Sequence, residues 1–215
     1  MRALLWDLDD TLLDTLPWRM ASLEYAYFAC MGTRTDPLAL WRSQRGGTLE
    51  ELGRRLLGDG YLRFTTLYRE HYYANGRAIR PFAGVEAVLA ECLAVELPMA
   101  VVTSKVAWGA TEELAESGLL RYFQCVVGFD DTEQHKPDPE PILSALERMC
   151  VDDVADVAFV GDSPADIWAA RNAGCRSVAA LWGTLDAELL MDAMPDFHAE
   201  TPDVLLSALA EGAVA

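Results

Sequence analysis

The sequence is short of positive charge. Its 215 residues carry 17 Lys and Arg against 34 Asp and Glu, with 3 His, for a formal net charge of −17. That balance repels a phosphate backbone and an anionic lipid surface, so neither nucleic acid nor membrane is an expected partner. A local pocket can still oppose the global field and bind a small anion. Long apolar runs are also missing. None approaches the roughly 20 residues that span a bilayer. The opening run through Trp6 meets Asp7, Asp9 and Asp10 before it reaches the length of a signal-peptide core. Close cysteine pairs are missing too. Cys30, Cys92, Cys125, Cys150 and Cys175 are odd in number and scattered, which fits neither a disulfide framework nor a zinc site. A reducing, cytoplasmic location is the expectation. Gly128 and Gly161 form no dinucleotide fingerprint, which disfavours NAD. Apolar residues, by contrast, make up 52% of the chain, enough for a core that a disordered acidic segment lacks.

Five short apolar runs read as buried parallel strands: Ala3–Leu8, Met99–Thr103, Cys125–Val127, Val157–Val160 and Ser177–Leu181. Helical spacing marks Gly84–Leu93, Ala107–Ser117, Pro139–Met149 and Pro164–Ala173, with prolines in two first turns and Gly118 and Gly174 as stops. Strands alternating with helices predict a doubly wound, Rossmann-like parallel α/β sheet. Residues 16–80 break the rhythm. They hold no convincing strand, and Trp18–Met31, Thr48–Leu57 and Tyr61–Asn75 read as helices punctuated by Gly46-Gly47, Gly58-Asp59-Gly60 and Asn75-Gly76. The expected organisation is an α/β core of residues 1–15 and 81–215 and an inserted all-helical subdomain of residues 16–80. The Ala-rich end after Leu209 reads as a frayed helix.

Ligands in open α/β sheets sit beyond the carboxyl ends of the strands. Those ends deliver Asp7-Leu8-Asp9-Asp10-Thr11, Thr103-Ser104-Lys105, His135-Lys136-Pro137-Asp138 and Gly161-Asp162-Ser163-Pro164-Ala165-Asp166. Asp7 and Asp9 stand two apart, so strand geometry turns both carboxylates one way and Leu8 the other. Two such carboxylates repel, so one tends to hold a proton unless a cation lies between them. An ionised Asp7 can then attack phosphorus, and a protonated Asp9 can donate to the leaving oxygen. Asp162 would complete an oxygen set for Mg²⁺. Lys136 can hold Asp7 or a phosphate oxygen, and Thr103 and Ser104 offer hydroxyl and backbone donors. Phosphoryl transfer needs these parts: an in-line nucleophile, a metal and fixed donors.

In these segments the sequence resembles the haloacid dehalogenase superfamily of Mg²⁺-dependent aspartate phosphohydrolases. Four motifs occur in order, at Asp7–Thr11, Thr103, Lys136 and Gly161-Asp162 with Asp166, and the helical insert matches that family's α-helical cap. Leu12-Leu13-Asp14-Thr15, His135–Pro141 and Gly161–Asp166 are similar to the phosphoglycolate phosphatase branch, which includes pyrophosphatase-like members. The resemblance implies Asp7 as the nucleophile that becomes an aspartyl-phosphate, and Asp9 as acid and then base. It implies Mg²⁺ held by Asp7, the Asp9 carbonyl and Asp162, with Asp166 behind them or acting through a water. Thr103, Lys136, Thr11 and Ser104 would contact the phosphate. Dehalogenating relatives lack an acid at the position of Asp9, so phosphate chemistry is implied. Where the family has glycine after the second aspartate, this chain has Asp10. Asp tolerates left-handed backbone, so the turn can survive.

Blander assignments exist for each piece. Asp9 and Asp10 suit a turn, Asp162 and Ser163 suit a helix N-cap, and Lys105 outside the matched pattern reads as a surface lysine. His71 and His198 read as surface or satisfied histidines. Aromatics concentrated in the insert read as packing. Arg45, beside Gly46-Gly47, can reach a substrate carboxylate or simply be solvated. Only a common site explains why the strand ends carry all the chemistry. The expected function is a Mg²⁺-dependent phosphatase of small phosphorylated metabolites, acting as a monomer or homodimer. The alternatives are an inorganic pyrophosphatase, a β-phosphoglucomutase-like phosphomutase and, in a different class, a non-catalytic phospho-ligand binding module.

Overall fold

Ala3–Trp6 (β1) is buried along its whole length, as a strand covered on both faces must be. In the computed structural model, which describes residues 1–43, 48–74 and 78–214, it lies inside a six-stranded sheet. Leu13–Asp14 (β2) and Arg80–Pro81 (β3) pair antiparallel as a separate short ribbon. Met99–Val102 (β4), Cys125–Val127 (β5), Val157–Gly161 (β6), Arg176–Ala180 (β7) and Phe197–Ala199 (β8) complete the main sheet. Its order is β5-β4-β1-β6-β7-β8, all pairs parallel. The strands carrying Asp7 and Asp162 are thus neighbours, with Trp6 level with Val160. The sequence order runs outward in both directions from β1, which places the switch point at the end of that strand.

The chain divides into two compact units, Met1–Asp14 with Arg80–Ala215, and Thr15–Ile79. The second unit consists of Leu16–Met31 (α1), Pro37–Arg42 (α2), Leu49–Leu57 (α3) and Tyr61–Tyr72 (α4), joined by a short 3-10 turn. Its core is Leu23, Ala26, Leu52 and Phe64. Thr48 and Glu51 close a capping box at the start of α3: the Glu51 amide donates to Thr48 Oγ1 at 3.2 Å, and the Thr48 amide to Glu51 Oε2 at 2.7 Å. Ser22 Oγ lies 3.0 Å from His71 Nδ1, and Tyr25 stacks on the same ring, so His71 is a satisfied histidine.

In the sheet unit, Val85–Ala94 (α5), Ala107–Glu116 (α6), Glu140–Arg148 (α7), Pro164–Ala173 (α8), Ala187–Asp192 (α9) and Pro202–Ala210 (α10) follow the strands. One apolar cluster joins Leu5, Ala100, Val102, Val127 and Phe159 of the strands to Ile142 and Leu146 of α7 and Ala169 and Ala170 of α8. Each of the fully buried Leu, Ile, Val and Phe side chains contributes roughly 1.5–3 kcal/mol of transfer free energy, which holds the helices onto the sheet. Several elements went unpredicted: the short ribbon of β2 and β3, the edge strand β8, whose Phe-His-Ala carries no apolar run, the helix α10 and the six-residue helices α2 and α9. The first strand also stops at Trp6 rather than Leu8, although the Asp7 amide still donates to the Val160 carbonyl at 2.8 Å. Among the described residues no helix is long and apolar enough to cross a membrane.

Candidate active site

The turn after β1 reverses within five residues. The Asp10 amide donates to the Leu13 carbonyl at 2.8 Å, and the Leu12 and Leu13 amides donate to the Leu8 carbonyl at 3.0 Å. Asp10 sits at φ +61, in the left-handed region, where glycine is the easiest residue and aspartate one of the better alternatives. The turn is gripped from behind. Trp182 Nε1 donates to the Thr11 carbonyl at 2.9 Å, and a Cβ on Gly183 would stand 1.6 Å from the Asp10 carbonyl oxygen. Only glycine fits that approach.

This turn delivers Asp7 to Lys136. The lysine Nζ donates to Asp7 Oδ1 at 2.8 Å and to Asp166 Oδ1 at 2.6 Å. All three are buried, with side-chain exposures of 5% for Lys136, 10% for Asp7 and 0% for Asp166. Lys136 is held in turn by its loop, whose Pro137 carbonyl accepts from Asn172 Nδ2 at 2.9 Å. The Lys136–Pro137 peptide is cis. Asp166 Oδ2 accepts from the Ser163 amide at 3.0 Å and from Ser163 Oγ at 2.6 Å. Its side chain occupies the space that a Cβ on Gly161 would need, 2.4 Å from Asp166 Cβ and Cγ. The sequence Gly161-Asp162-Ser163 thereby serves two ends: the glycine makes room for Asp166, and Asp162 projects beside Asp7.

Asp162 is half-buried, and Thr11 Oγ1 donates to its Oδ1 at 3.0 Å. Thr11, expected on the phosphate, therefore orients a carboxylate. Asp7, Asp162 and Asp166 each bring an oxygen within 4.8 Å of the others. An all-carboxylate set of this kind suits a hard divalent cation that keeps several waters. Both oxygens of Asp166 already accept hydrogen bonds, which favours a supporting place for it behind Asp7 and Asp162.

Electrostatics follow from the burial. Desolvation pushes the Asp7 carboxyl up to about 7, with the neighbouring Asp166 and Asp9 charges adding to the rise and Lys136 opposing it. Burial alone would lower the Lys136 ammonium, but Asp166 and Asp7 outweigh it and hold the lysine charged well above its ordinary range. Two acids around one lysine leave a net negative site, which a cation would neutralise.

Thr103 follows β4. Its amide is used in the sheet, donating to the Val127 carbonyl at 2.9 Å, and its hydroxyl accepts from the Lys105 amide at 3.2 Å. Ser104 is exposed at the tip of that loop. Arg45 lies outside the described residues. Lys105 is not a surface lysine. Its side chain is 10% exposed, and Nζ donates to Asp9 Oδ1 at 2.8 Å and to Glu113 Oε2 at 2.5 Å. Sequence reasoning missed both Lys105 and Glu113. A signal was present: Glu113 falls on the buried stripe of α6 with Gly109, Ala110 and Leu114, and a carboxylate there needs a partner.

The model of the haloacid dehalogenase-like hydrolase family matches residues 4–180. PpaX of Caldanaerobacter subterraneus, provisionally named a pyrophosphatase, is 35% identical over 213 residues, covering 92% of this chain and 90% of that protein. The phosphoglycolate phosphatase of Neisseria meningitidis is 33% identical over 224 residues, covering 98% and 92%. A solved structure from Haemophilus somnus, described as a predicted phosphoglycolate phosphatase, superposes with a TM-score of 0.86 at 23% identity, covering 97% of this chain and 98% of that one. That structure has the same fold. The chain belongs to the haloacid dehalogenase-like hydrolase family.

Proposed function

We propose that this protein is a Mg²⁺-dependent phosphatase of small phosphoesters, working through an aspartyl-phosphate on Asp7, with phosphoglycolate-like compounds as its first substrate class. The observation that carries the reading is the buried Asp7–Lys136–Asp166 ion pair beside Asp162 at the end of β1. Asp7 Oδ attacks phosphorus while the P–O bond to the leaving group breaks, and the electron pair leaves on that oxygen. Asp9 supplies the proton that the leaving alkoxide needs, then takes one from the water that attacks the acyl-phosphate. Lys136 holds Asp7 for in-line attack and offers positive charge to the phosphoryl oxygens. Thr103 would offer its hydroxyl to the same group.

Asp7, the Asp9 carbonyl and Asp162 would hold the cation, with Asp166 behind them. When bound, the cation neutralises charge on the phosphoryl group and on Asp7. The helical unit Thr15–Ile79 is our proposed cap and carrier of substrate choice, with Arg45 a candidate contact for a substrate carboxylate. The similarity to PpaX supports pyrophosphate as the second substrate class to test.

The test is phosphate release from phosphoglycolate, pyrophosphate, sugar phosphates and nucleotides, with and without Mg²⁺. Mg²⁺-dependent release that disappears in Asp7→Asn supports the proposal, and the preferred compound names the substrate class. Transfer of the phosphoryl group back to a sugar without net release would redirect it to a mutase. Binding without turnover would redirect it to a ligand-binding module.

A further inference from the structure

Two lysines sit at this sheet edge in matching arrangements. Lys136 bridges Asp7 to Asp166 at the start of α8, and Lys105 bridges Asp9 to Glu113 in the middle of α6. Each aspartate of Asp7-Leu8-Asp9 thus has its own ammonium, and each ammonium is anchored by a carboxylate with 0% side-chain exposure on a helix. We propose that Lys105 is a positioning residue for Asp9, with Glu113 as its anchor. The assignment rests on the phosphatase reading above.

The geometry supports a built arrangement rather than a chance surface pair. The backbone of Lys105 is fixed on both sides: its amide donates to Thr103 Oγ1 at 3.2 Å, and its carbonyl accepts from the Phe129 amide at 2.8 Å. The side chain then runs inward to two acids, Asp9 from 96 residues earlier in the chain and Glu113 from eight residues later on α6. A lysine with 10% exposure loses most of its hydration and most of its rotamers. Glu113 restores the charge balance that lets the ammonium remain there, since a buried ion is tolerated only when paired. What this fixes is direction. Nζ pins Oδ1 of Asp9 at 2.8 Å, and a planar carboxylate pinned at one oxygen has the direction of its other oxygen set. That second oxygen is the one that must meet the leaving group. A proton donor contributes only when it is within hydrogen-bond reach of the departing oxygen, and small misplacements are expensive.

The consequence is selective. Formation of the phosphoenzyme needs the proton when the leaving group is an alkoxide, and barely needs it when the leaving group is 4-nitrophenolate. The value of kcat/KM reports that first step for both. The experiment compares kcat/KM of wild type, Lys105→Met and Glu113→Gln on 4-nitrophenyl phosphate and on the best alkyl phosphate found in the panel, with Mg²⁺ saturating. The proposal expects kcat/KM to fall roughly 10–100-fold on the alkyl phosphate and less than about 3-fold on 4-nitrophenyl phosphate, a part of the 10²–10⁴ that a positioned acid supplies. Lys105→Arg, which keeps the charge and the reach, should recover most of the alkyl rate. Glu113→Gln keeps the ammonium in place and provides the same comparison if Lys105→Met does not fold. An equal loss on both substrates, or no loss on either, would overturn the assignment, because a merely structural pair has no reason to distinguish leaving groups. If wild type releases phosphate from neither compound, the phosphatase reading itself fails, an outcome visible before any variant is made.

Discussion

Replacing Lys136 with methionine removes a charge from between two buried acids while keeping the length and apolar stem of the side chain. Asp7 and Asp166 would then be carboxylates of 10% and 0% side-chain exposure with their shared cation gone. Breaking a buried pair by removing one partner costs about 3–5 kcal/mol, because the remaining charge keeps its desolvation penalty. For a chain of this size that is a fall in Tm of roughly 6–20 °C, at 2–4 °C per kcal/mol. The sign of the pH dependence follows. Without the ammonium that opposes the rise, the Asp7 carboxyl is driven further toward the protonated form, so the folded variant binds more protons than the unfolded chain above about pH 4. Its deficit against wild type should narrow as pH falls from 7.5 to 5, by up to about 1.4 kcal/mol per pH unit for the proton taken up at Asp7. The assay is a pair of thermal melts of metal-free protein at several pH values, followed by calorimetry. A Tm within about 2 °C of wild type at pH 7.5 would show that the carboxylates are not desolvated as described, or find another cation. A deficit that widens toward low pH would refute the charge argument even if the size agreed.

Three further outcomes are expected. Burial raises the Asp7 carboxyl from 3.8 to about 7; the unfolded chain therefore loses its proton first, and metal-free stability from this group falls as pH rises between those values, by on the order of 4 kcal/mol at most. Asp7→Asn should remove that component, and parallel stability curves for the two proteins in urea titrations would count against it. Gly161→Ala forces a methyl into the space held by Asp166 Cβ and Cγ at 2.4 Å; a loss of roughly 1–3 kcal/mol is expected together with lower phosphatase turnover, and crystals showing Asp166 undisplaced would contradict it. At Asp10, with φ +61, substitution by glycine should leave stability within about 1 kcal/mol of wild type or raise it, while alanine should lower it by roughly 1 kcal/mol; melts in the reverse order would remove the left-handed turn as the reason.

Much of the sheet was legible because buried parallel strands are written as unbroken apolar runs. Val157–Gly161 and Cys125–Val127 are such runs, and the pairing of β1 with β6, Trp6 level with Val160, brings Asp7 and Asp162 off the ends of adjacent strands. Phe197–Ala199 was not legible, since an edge strand buried on one side leaves a short mixed segment. The geometry of Asp7 with Lys136 could be anticipated only through strand-end logic, because 129 residues separate them. Lys105 escaped that logic. One residue past the expected donors, it looks like any exposed loop lysine until α6 is seen to place Glu113 beneath it. Spacing arguments describe what a single element presents. They do not describe how two elements 96 residues apart, such as those holding Asp9 and Lys105, share a charge. Asp10 was legible in the other direction: departure from glycine at a turn already implied a residue that tolerates positive φ.

The grip of Trp182 and Gly183 on the turn after β1 has a consequence for how such chains diverge. The family pattern ends at residue 180, yet two of the next three residues, Trp182 and Gly183, press directly on the carbonyls of Thr11 and Asp10. Drift beyond the shared pattern is therefore not neutral with respect to the turn that carries Asp7. A bulkier residue at position 183, or loss of the indole at 182, would reach Asp7 through the main chain without touching any of the four motifs. Two homologues with identical motif residues can differ in rate for this reason alone, and a graft of the motifs onto another member's C-terminal segment would carry the mismatch with it.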